Sequence, residues 1–346
     1  MRPSLAPRPV PLWRRPIVRI AGSAVMLALL VTVLPFQEMR TAITSMPWYV
    51  WPGALATYMC LHLIGVAKWR LLVNVAGAGL PFSRAARAYY WGLFGNTFLP
   101  SIVGGDVVRM GMAMRESRSR SGLVLGSMID RFLDIIGLVL VAGVGAWLSP
   151  LALNAQSRRI FVSIIGLLTV LGLMGVAALW YFPVRRLPFK VRRRLVQLRQ
   201  AVRATAGKSW ALGTALLMGA LLQSLLVVLN WGLGAAIGIR IPLYVWLFVW
   251  PLAKISGLLP VTQGGIGVRE AAQAALFAPF GVSAARAVAT GLVFEVVIIV
   301  GGLVGGAIAF LMGARRDPRA GSEGASAHAA GEAVPHEMRE LQHVEA

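Results

Sequence analysis

The chain has 346 residues, of which 57% are hydrophobic and only 14% charged, with a mean hydropathy of +0.71. Soluble globular domains carry about 25% charged residues, so this composition excludes an ordinary water-soluble fold. The formal charge of +21 would invite nucleic acid as a partner, but the basic residues lie in short runs between long apolar stretches. That distribution is one of membrane-flanking loops that attract anionic lipid headgroups, and nucleic acid is not expected.

The first 16 residues, MRPSLAPRPVPLWRRP, are basic, and no small-residue cleavage site follows the first apolar run. They are predicted to be a cytoplasmic N-terminus ahead of a retained first span, about Ile17–Phe36. A second span is predicted at about Trp48–Ala67, ended by Lys68, Trp69 and Arg70. The following segment, AYYWGLFGNTFLPSIVGGD, is apolar but broken at Gly95-Asn96, Pro100 and Gly104-Gly105, with arginines on both flanks. Arginines at both ends predict a re-entrant excursion, because broken backbone at membrane depth must be buried in protein or face water.

Spans are next predicted at about Gly122–Leu148 and Ile160–Phe182. The strongest basic run, residues 185–208, follows them. Its Val191, Leu195, Leu198 and Val202 recur at helical spacing, as in an amphipathic helix on the membrane surface. An ordinary basic loop fits as well, and both place the run in the cytoplasm. Further spans are predicted at Trp210–Ile237 and Ala287–Leu311. Between them, Leu243–Leu259 is interrupted by Pro251, Lys254 and Pro260 and leads into VTQGGIGVRE. A hairpin over about Ala271–Phe280 then turns at Pro279 and Gly281. Residues 313–346 hold His328, His336 and His343 without apolar periodicity, and a disordered cytoplasmic tail is expected there. The single Cys60 excludes an internal disulfide and a thiolate metal cluster. No phosphate-binding loop, zinc-ligand spacing or serine elbow occurs, so no cofactor or metal is expected.

Two segments share one pattern, L-P-x-x-x-G-G-x-x-x-R: Leu99–Arg109 and Leu259–Arg269. Each precedes a long apolar span carrying carboxylates, Asp130 and Asp134 in the first case and Glu295 in the second. The membrane domain, residues 17–312, therefore divides into half-repeats of about 17–148 and 160–312. Placing the basic loops inside makes the two motifs enter from opposite faces, an inverted repeat of the kind secondary transporters use. The predicted fold is an all-α polytopic bundle of 6–8 spans with two broken, re-entrant segments.

The motifs supply the candidate chemistry. Proline and paired glycines bare backbone amides at the start of a half-helix, where an anion is stabilised. Arg109 and Arg269 add guanidinium groups suited to phosphate. The candidate headgroup-binding set is Asn96, Pro100, Gly104, Gly105, Arg109, Pro260, Gly264, Gly265, Gly267, Arg269 and Glu270. The glycines fit close helix packing equally well. The charged residues within the membrane, Asp130, Arg131, Asp134, Lys254 and Glu295, are functional candidates or members of ion pairs. Asp130 and Asp134, four residues apart, share one helix face. Asn96, Gln223 and Asn230 are predicted to hydrogen-bond between helices, and His62 to be structural.

Three sequences, GNTFLPSIVGGDVVRM, SMIDRFLDIIGLVL and GLLPVTQGGIGVREAA, together resemble the lysylphosphatidylglycerol synthetase transmembrane-region family, also called flippase-like domain proteins. The resemblance spans about Ile17–Leu311. It implies a cytoplasmic-membrane protein that translocates an aminoacylated or anionic lipid. Full-length synthases of that family add a soluble aminoacyltransferase domain; here only the short tail follows, so aminoacyl transfer is not expected. Other relatives imply isoprenoid-linked sugar or hopanoid pathways. Two alternatives stay open: a membrane enzyme or enzyme subunit with Asp130, Asp134 or Glu295 as acid or base, and a non-catalytic scaffold for a lipid-synthesis enzyme partner.

Overall fold

A computed structural model describes residues 36–98, 104–149, 207–257, 265 and 267–314, with isolated positions 166 and 196. Of the predicted segments, residues 17–35, 160–182, 185–206 and 315–346 lie outside the described residues, apart from those isolated positions. Among the described residues all regular structure is helical. A short α1 (Phe36–Thr44) precedes the long α2 (Val50–Val75). Then come α3 (Phe82–Phe98), α4 (Gly104–Met114) and the long α5 (Arg120–Leu148). The second half runs α6 (Ser209–Ala236), α7 (Leu243–Ser256), α8 (Val268–Phe277), a 3-10 turn at Ala278–Phe280 and α9 (Ala284–Ala314). Four of these, α2, α5, α6 and α9, are long and apolar enough to cross a membrane.

Each half has one plan: a spanning helix, a hairpin of two shorter helices, and a second spanning helix. The hairpins are real reversals. Gly95 sits against Gly105 and Val108, and Gly92 against Arg109, so α4 doubles back along α3. Likewise Gly257 lies against Gly265 and Arg269 at the tip, while Trp246 packs on Phe277 at the far end, so α8 doubles back along α7. These hairpins are the two predicted broken segments.

The halves are inverted, and side-chain neighbours settle the direction. Gly122 meets Ala76, Gly126 meets Val73, and Asp130 meets Lys68, so α5 runs back along α2. Arg84 pairs with Glu116 at 3.2 Å, which puts the start of α3 on the face where α4 ends and α5 begins. That face also receives the end of α9, because Gly302 meets Thr97, Gly306 meets Phe94 and Gly313 meets Arg87. The end of α5 reaches the opposite face, where Gly145 touches Leu247 and Phe248 at the start of α7. So α3 enters from one face, α7 enters from the other, and α5 and α9 run in opposite directions.

The hairpins are also exchanged. Helix α3 packs most heavily on α9 of the other half, and α7 on α5. Glycines make both contacts close: Gly301, Gly302, Gly305 and Gly306 pave α9 against Tyr58, Thr97, Tyr90 and Phe94. Without a hydrophobic driving force inside the bilayer, such close backbone approach is what holds helices together.

Two predicted boundaries shift. Helix α2 does not stop at Lys68, Trp69 and Arg70 but continues to Val75, with Lys68 and Trp69 fully buried. Those residues are not a loop: Lys68 is neutralised by carboxylates, and Trp69 Nε1 donates to Ser127 Oγ at 3.0 Å. Phe36, the predicted end of the first span, lies in α1, which is tied to the start of α9 through Glu38, the acceptor of a 2.6 Å bond from Ser283 Oγ.

Candidate functional site

A cavity of about 450 Å³ lies where the halves meet, within the size range of small-molecule sites. Lysines 68 and 254, arginines 109, 131 and 269, and aspartates 106, 130 and 134 line it beside an aromatic wall. Tyr58, His62, Trp250 and Phe294 form that wall through edge-to-face contacts.

The first half contributes a closed lattice of charge. Asp130 and Asp134, sharing a face of α5 as their spacing predicts, both pair with Lys68 of α2, at 2.9 and 2.5 Å. Asp130 also takes Arg109 of α4 at 3.2 Å, and Arg109 in turn holds Asp106 at 3.0 Å. Arg131, on the next face of α5, grips both oxygens of Asp106 at 2.5 Å. The guanidinium of Arg109 stacks over Trp69 at 4.6 Å and faces Tyr89 at 5.4 Å. Three cations and three carboxylates thus cancel one another across α2, α4 and α5.

In the second half, Arg269 pairs with Glu270 at 2.7 Å and Glu295 at 2.6 Å, joining α8 to α9. Glu270, fully buried, also accepts from Gly267 N at 2.6 Å and so closes the first turn of α8. Gly265 and Gly267 adopt φ of +80° and +87°, a left-handed path that only glycine takes without strain. In the first motif Gly105, the counterpart of Gly265, instead sits with Gly104 inside the first turn of α4, and its N donates to Asn96 Oδ1 at 2.9 Å. The amides of Gly105 and Gly267, predicted as bare donors for an anion, therefore both have internal partners.

Lys254 differs from every other cation here. Its Nζ donates to Gln223 Oε1 at 2.8 Å and lies 4.8 Å from the Trp250 ring centre. Among the described residues no carboxylate comes within ion-pair reach of it.

A family model described as "Lysylphosphatidylglycerol synthase TM region" matches residues 17–306, nearly the whole span that builds the two halves and the cavity. The chain belongs to this family. Similar family-level relatives include a UPF0104 membrane protein of Methanothermobacter thermautotrophicus, 24% identical over 262 residues, covering 67% of this chain and 74% of that protein. A UPF0104 membrane protein of Pyrococcus horikoshii is 24% identical over 263 residues, covering 68% and 78% respectively. This member of the synthase transmembrane-region family is a multi-pass membrane protein.

Of the residues predicted for its site, Asn96, Arg109, Asp130, Arg131, Asp134, Lys254 and Arg269 line this cavity. Glu270 and Glu295 lie just behind Arg269. Gly104, Gly105, Gly265 and Gly267 shape the hairpin tips, and Pro100, Pro260 and Gly264 lie outside the described residues. Gln223 makes its predicted interhelical bond, whereas both side-chain polar atoms of Asn230 are buried without a partner among the described residues. His62 Nδ1 shares a hydrogen bond of 3.2 Å with the Tyr89 hydroxyl.

Sequence reasoning missed Lys68 and Asp106. Lys68 follows a 20-residue apolar run and reads as a loop charge, yet two unpaired carboxylates on one face of α5 already required a buried cation opposite. Asp106 sits between the motif glycines and Arg109, and its spacing of three from Arg109 was the available signal.

Proposed function

We propose that this protein carries phospholipid headgroups across the cytoplasmic membrane through the central cavity, while acyl chains stay in the surrounding lipid. The observation that carries the proposal is the charged cavity at the junction of two inverted halves, the place where secondary transporters bind their cargo. A volume of about 450 Å³ suits a headgroup but not two acyl chains. The ion pairs around the cavity all close within one half, and the halves meet on glycines and aromatic rings. Rocking one half on the other would then break no buried ion pair, which supports alternating access by rigid bodies. The face carrying Arg84, Arg87, Arg115, Arg118 and Arg120 is taken as cytoplasmic, in keeping with the positive-inside rule. The lipid has a charged headgroup, anionic or aminoacylated, in keeping with the family's description.

The test is reconstitution of the full chain in liposomes with headgroup-labelled lipids, followed by a membrane-impermeant quencher. Protein-dependent loss of protection, without a change in lipid mass, is expected. Chemical conversion of the lipid would favour a membrane enzyme, and neither movement nor conversion would favour a scaffold; both outcomes overturn the proposal.

A further inference from the structure

We infer that the cavity selects a net-neutral, zwitterionic headgroup, with its phosphate at Lys254 and its ammonium at Asp134. The inference rests on the lipid-handling proposal and specifies which lipid chemistry that site accepts. It departs from the sequence-based expectation that Arg109 and Arg269 receive an anion, because each is already held by two carboxylates. An incoming phosphate would have to displace a buried carboxylate and leave it unpaired, at a cost of several kcal/mol.

Lys254 carries no such obstacle. Among the described residues its one hydrogen bond is to the neutral amide of Gln223, and it also faces the Trp250 ring. The indole N–H of that buried tryptophan has no acceptor among the described residues, and Nε2 of His62, which lines the same wall, has no partner there either. Together they make a donor-rich pole with one unneutralised positive charge.

The opposite pole is Asp134. Its Oδ1 takes Lys68, while its Oδ2 takes no hydrogen bond among the described residues. It is also the most accessible of the three aspartates, with 19% side-chain exposure against 9% for Asp106 and 3% for Asp130. Helix α6 fixes the spacing between the poles. Gly219 lies beside the Lys68–Asp134 pair, and Gln223, which holds Lys254, is one turn further along, roughly 6 Å of helix rise.

Charge balance then decides the ligand class. The five cations Lys68, Arg109, Arg131, Lys254 and Arg269 match the five carboxylates Asp106, Asp130, Asp134, Glu270 and Glu295. A purely anionic headgroup would leave one uncompensated buried charge, whereas a phosphate joined to an ammonium leaves none.

The experiment measures lipid retained by the purified full-length protein in native mass spectrometry. The probes are phosphatidylethanolamine, phosphatidylglycerol and N-acetyl-phosphatidylethanolamine with identical acyl chains. Phosphatidylethanolamine should bind about tenfold more tightly than the two lipids that lack an ammonium. Asp134→Asn should abolish the preference, weakening phosphatidylethanolamine and, because the cavity then holds one excess cation, strengthening phosphatidylglycerol, and Asp134→Glu should restore it. Lys254→Gln should weaken all three, with recovery in Lys254→Arg. Equal binding of the three lipids by the native protein, or an unchanged ratio in Asp134→Asn, overturns the inference. Headgroup selection without movement of any lipid in liposomes would sustain this site and sink translocation. Movement of all three lipids at equal rates would do the reverse.

Discussion

In the first half of the molecule, Lys68, Arg109 and Arg131 close on Asp106, Asp130 and Asp134, and every member of the lattice has a partner of opposite sign. In the second half, Arg269 binds two glutamates while Lys254 rests on a tryptophan and an amide. Both halves follow one helical plan and contribute to one cavity, yet they use buried charge differently. Mutual neutralisation in the first half makes a rigid wall, since pulling its helices apart would leave buried charges such as Lys68 and Asp130 without compensation. The second half keeps one cation whose attraction is unspent, and that is the group available to a ligand. Related halves can thus diverge in function without diverging in fold.

The sharpest way to break this comparison is to remove one lysine from each half. Lys68→Met strands Asp134, which has no other cation within ion-pair reach among the described residues, and leaves the buried Asp130 with Arg109 alone. It should cost about 3–5 kcal/mol, enough to unfold the protein or lower its melting temperature in detergent severely. The double variant Lys68→Met, Asp134→Asn removes the orphaned charge, keeps Arg109 and Arg131 matched by Asp106 and Asp130, and should recover most of the loss. Lys254→Met strands no carboxylate and forfeits a hydrogen bond and a ring contact, so it should cost no more than about 1.5 kcal/mol. It should nevertheless abolish lipid retention. If Lys254→Met proves as destabilising as Lys68→Met, the two halves do not differ as described.

A smaller effect separates the two exchanged contacts between halves. A side chain at Gly145 would collide with backbone, its Cβ falling 2.4 Å from Phe248 N. At Gly302 the new Cβ would fall 2.1 Å from Thr97 Oγ1, a side-chain atom that can rotate away. Gly145→Ala should therefore cost about 1–3 kcal/mol, and Gly302→Ala distinctly less. Thermal melting of both variants checks this; equal losses would mean that the α3–α9 contact is as unyielding as the α5–α7 contact.

Which of these features were legible in the sequence follows from what each depends on. The spans were legible because bilayer crossing sets length and apolarity directly, and α5, α6 and α9 fall within a few residues of their predicted limits. The repeated L-P-x-x-x-G-G-x-x-x-R pattern marked both hairpins and their inversion, because broken helices at membrane depth leave few other options. Lys68 was not legible as a buried residue. Hydropathy scores a lysine alike whether it faces headgroups or two aspartates, and its partners lie more than 60 residues away on another helix. Nor did the motifs reveal that Arg109 and Arg269 are already paired, since Glu270 adjoins Arg269 in sequence but Asp130 and Glu295 reach the arginines only through the fold.

The smallest expected difference concerns the turns that lead out of the two hairpins. After α4 the chain turns through side-chain hydrogen bonds: Ser117 Oγ donates to the Ser119 carbonyl at 2.9 Å, and Ser119 Oγ accepts from Gly122 N at 3.0 Å, capping α5. After α8 the turn passes through Gly281 at φ +74°, with no atom near where a Cβ would sit, before Ser283 Oγ accepts from Arg286 N at 3.3 Å. Ser119→Ala should remove the cap and cost about 1 kcal/mol. Gly281→Ala pays only for a left-handed residue, about 1–2 kcal/mol, and Gly281→Asn should recover part of that because asparagine tolerates the conformation. The order Asn above Ala at position 281, read by denaturation in detergent, is the discriminating result. Equal losses for the two would mean that contacts of the turn, and not its backbone conformation, hold α8 and α9 in place.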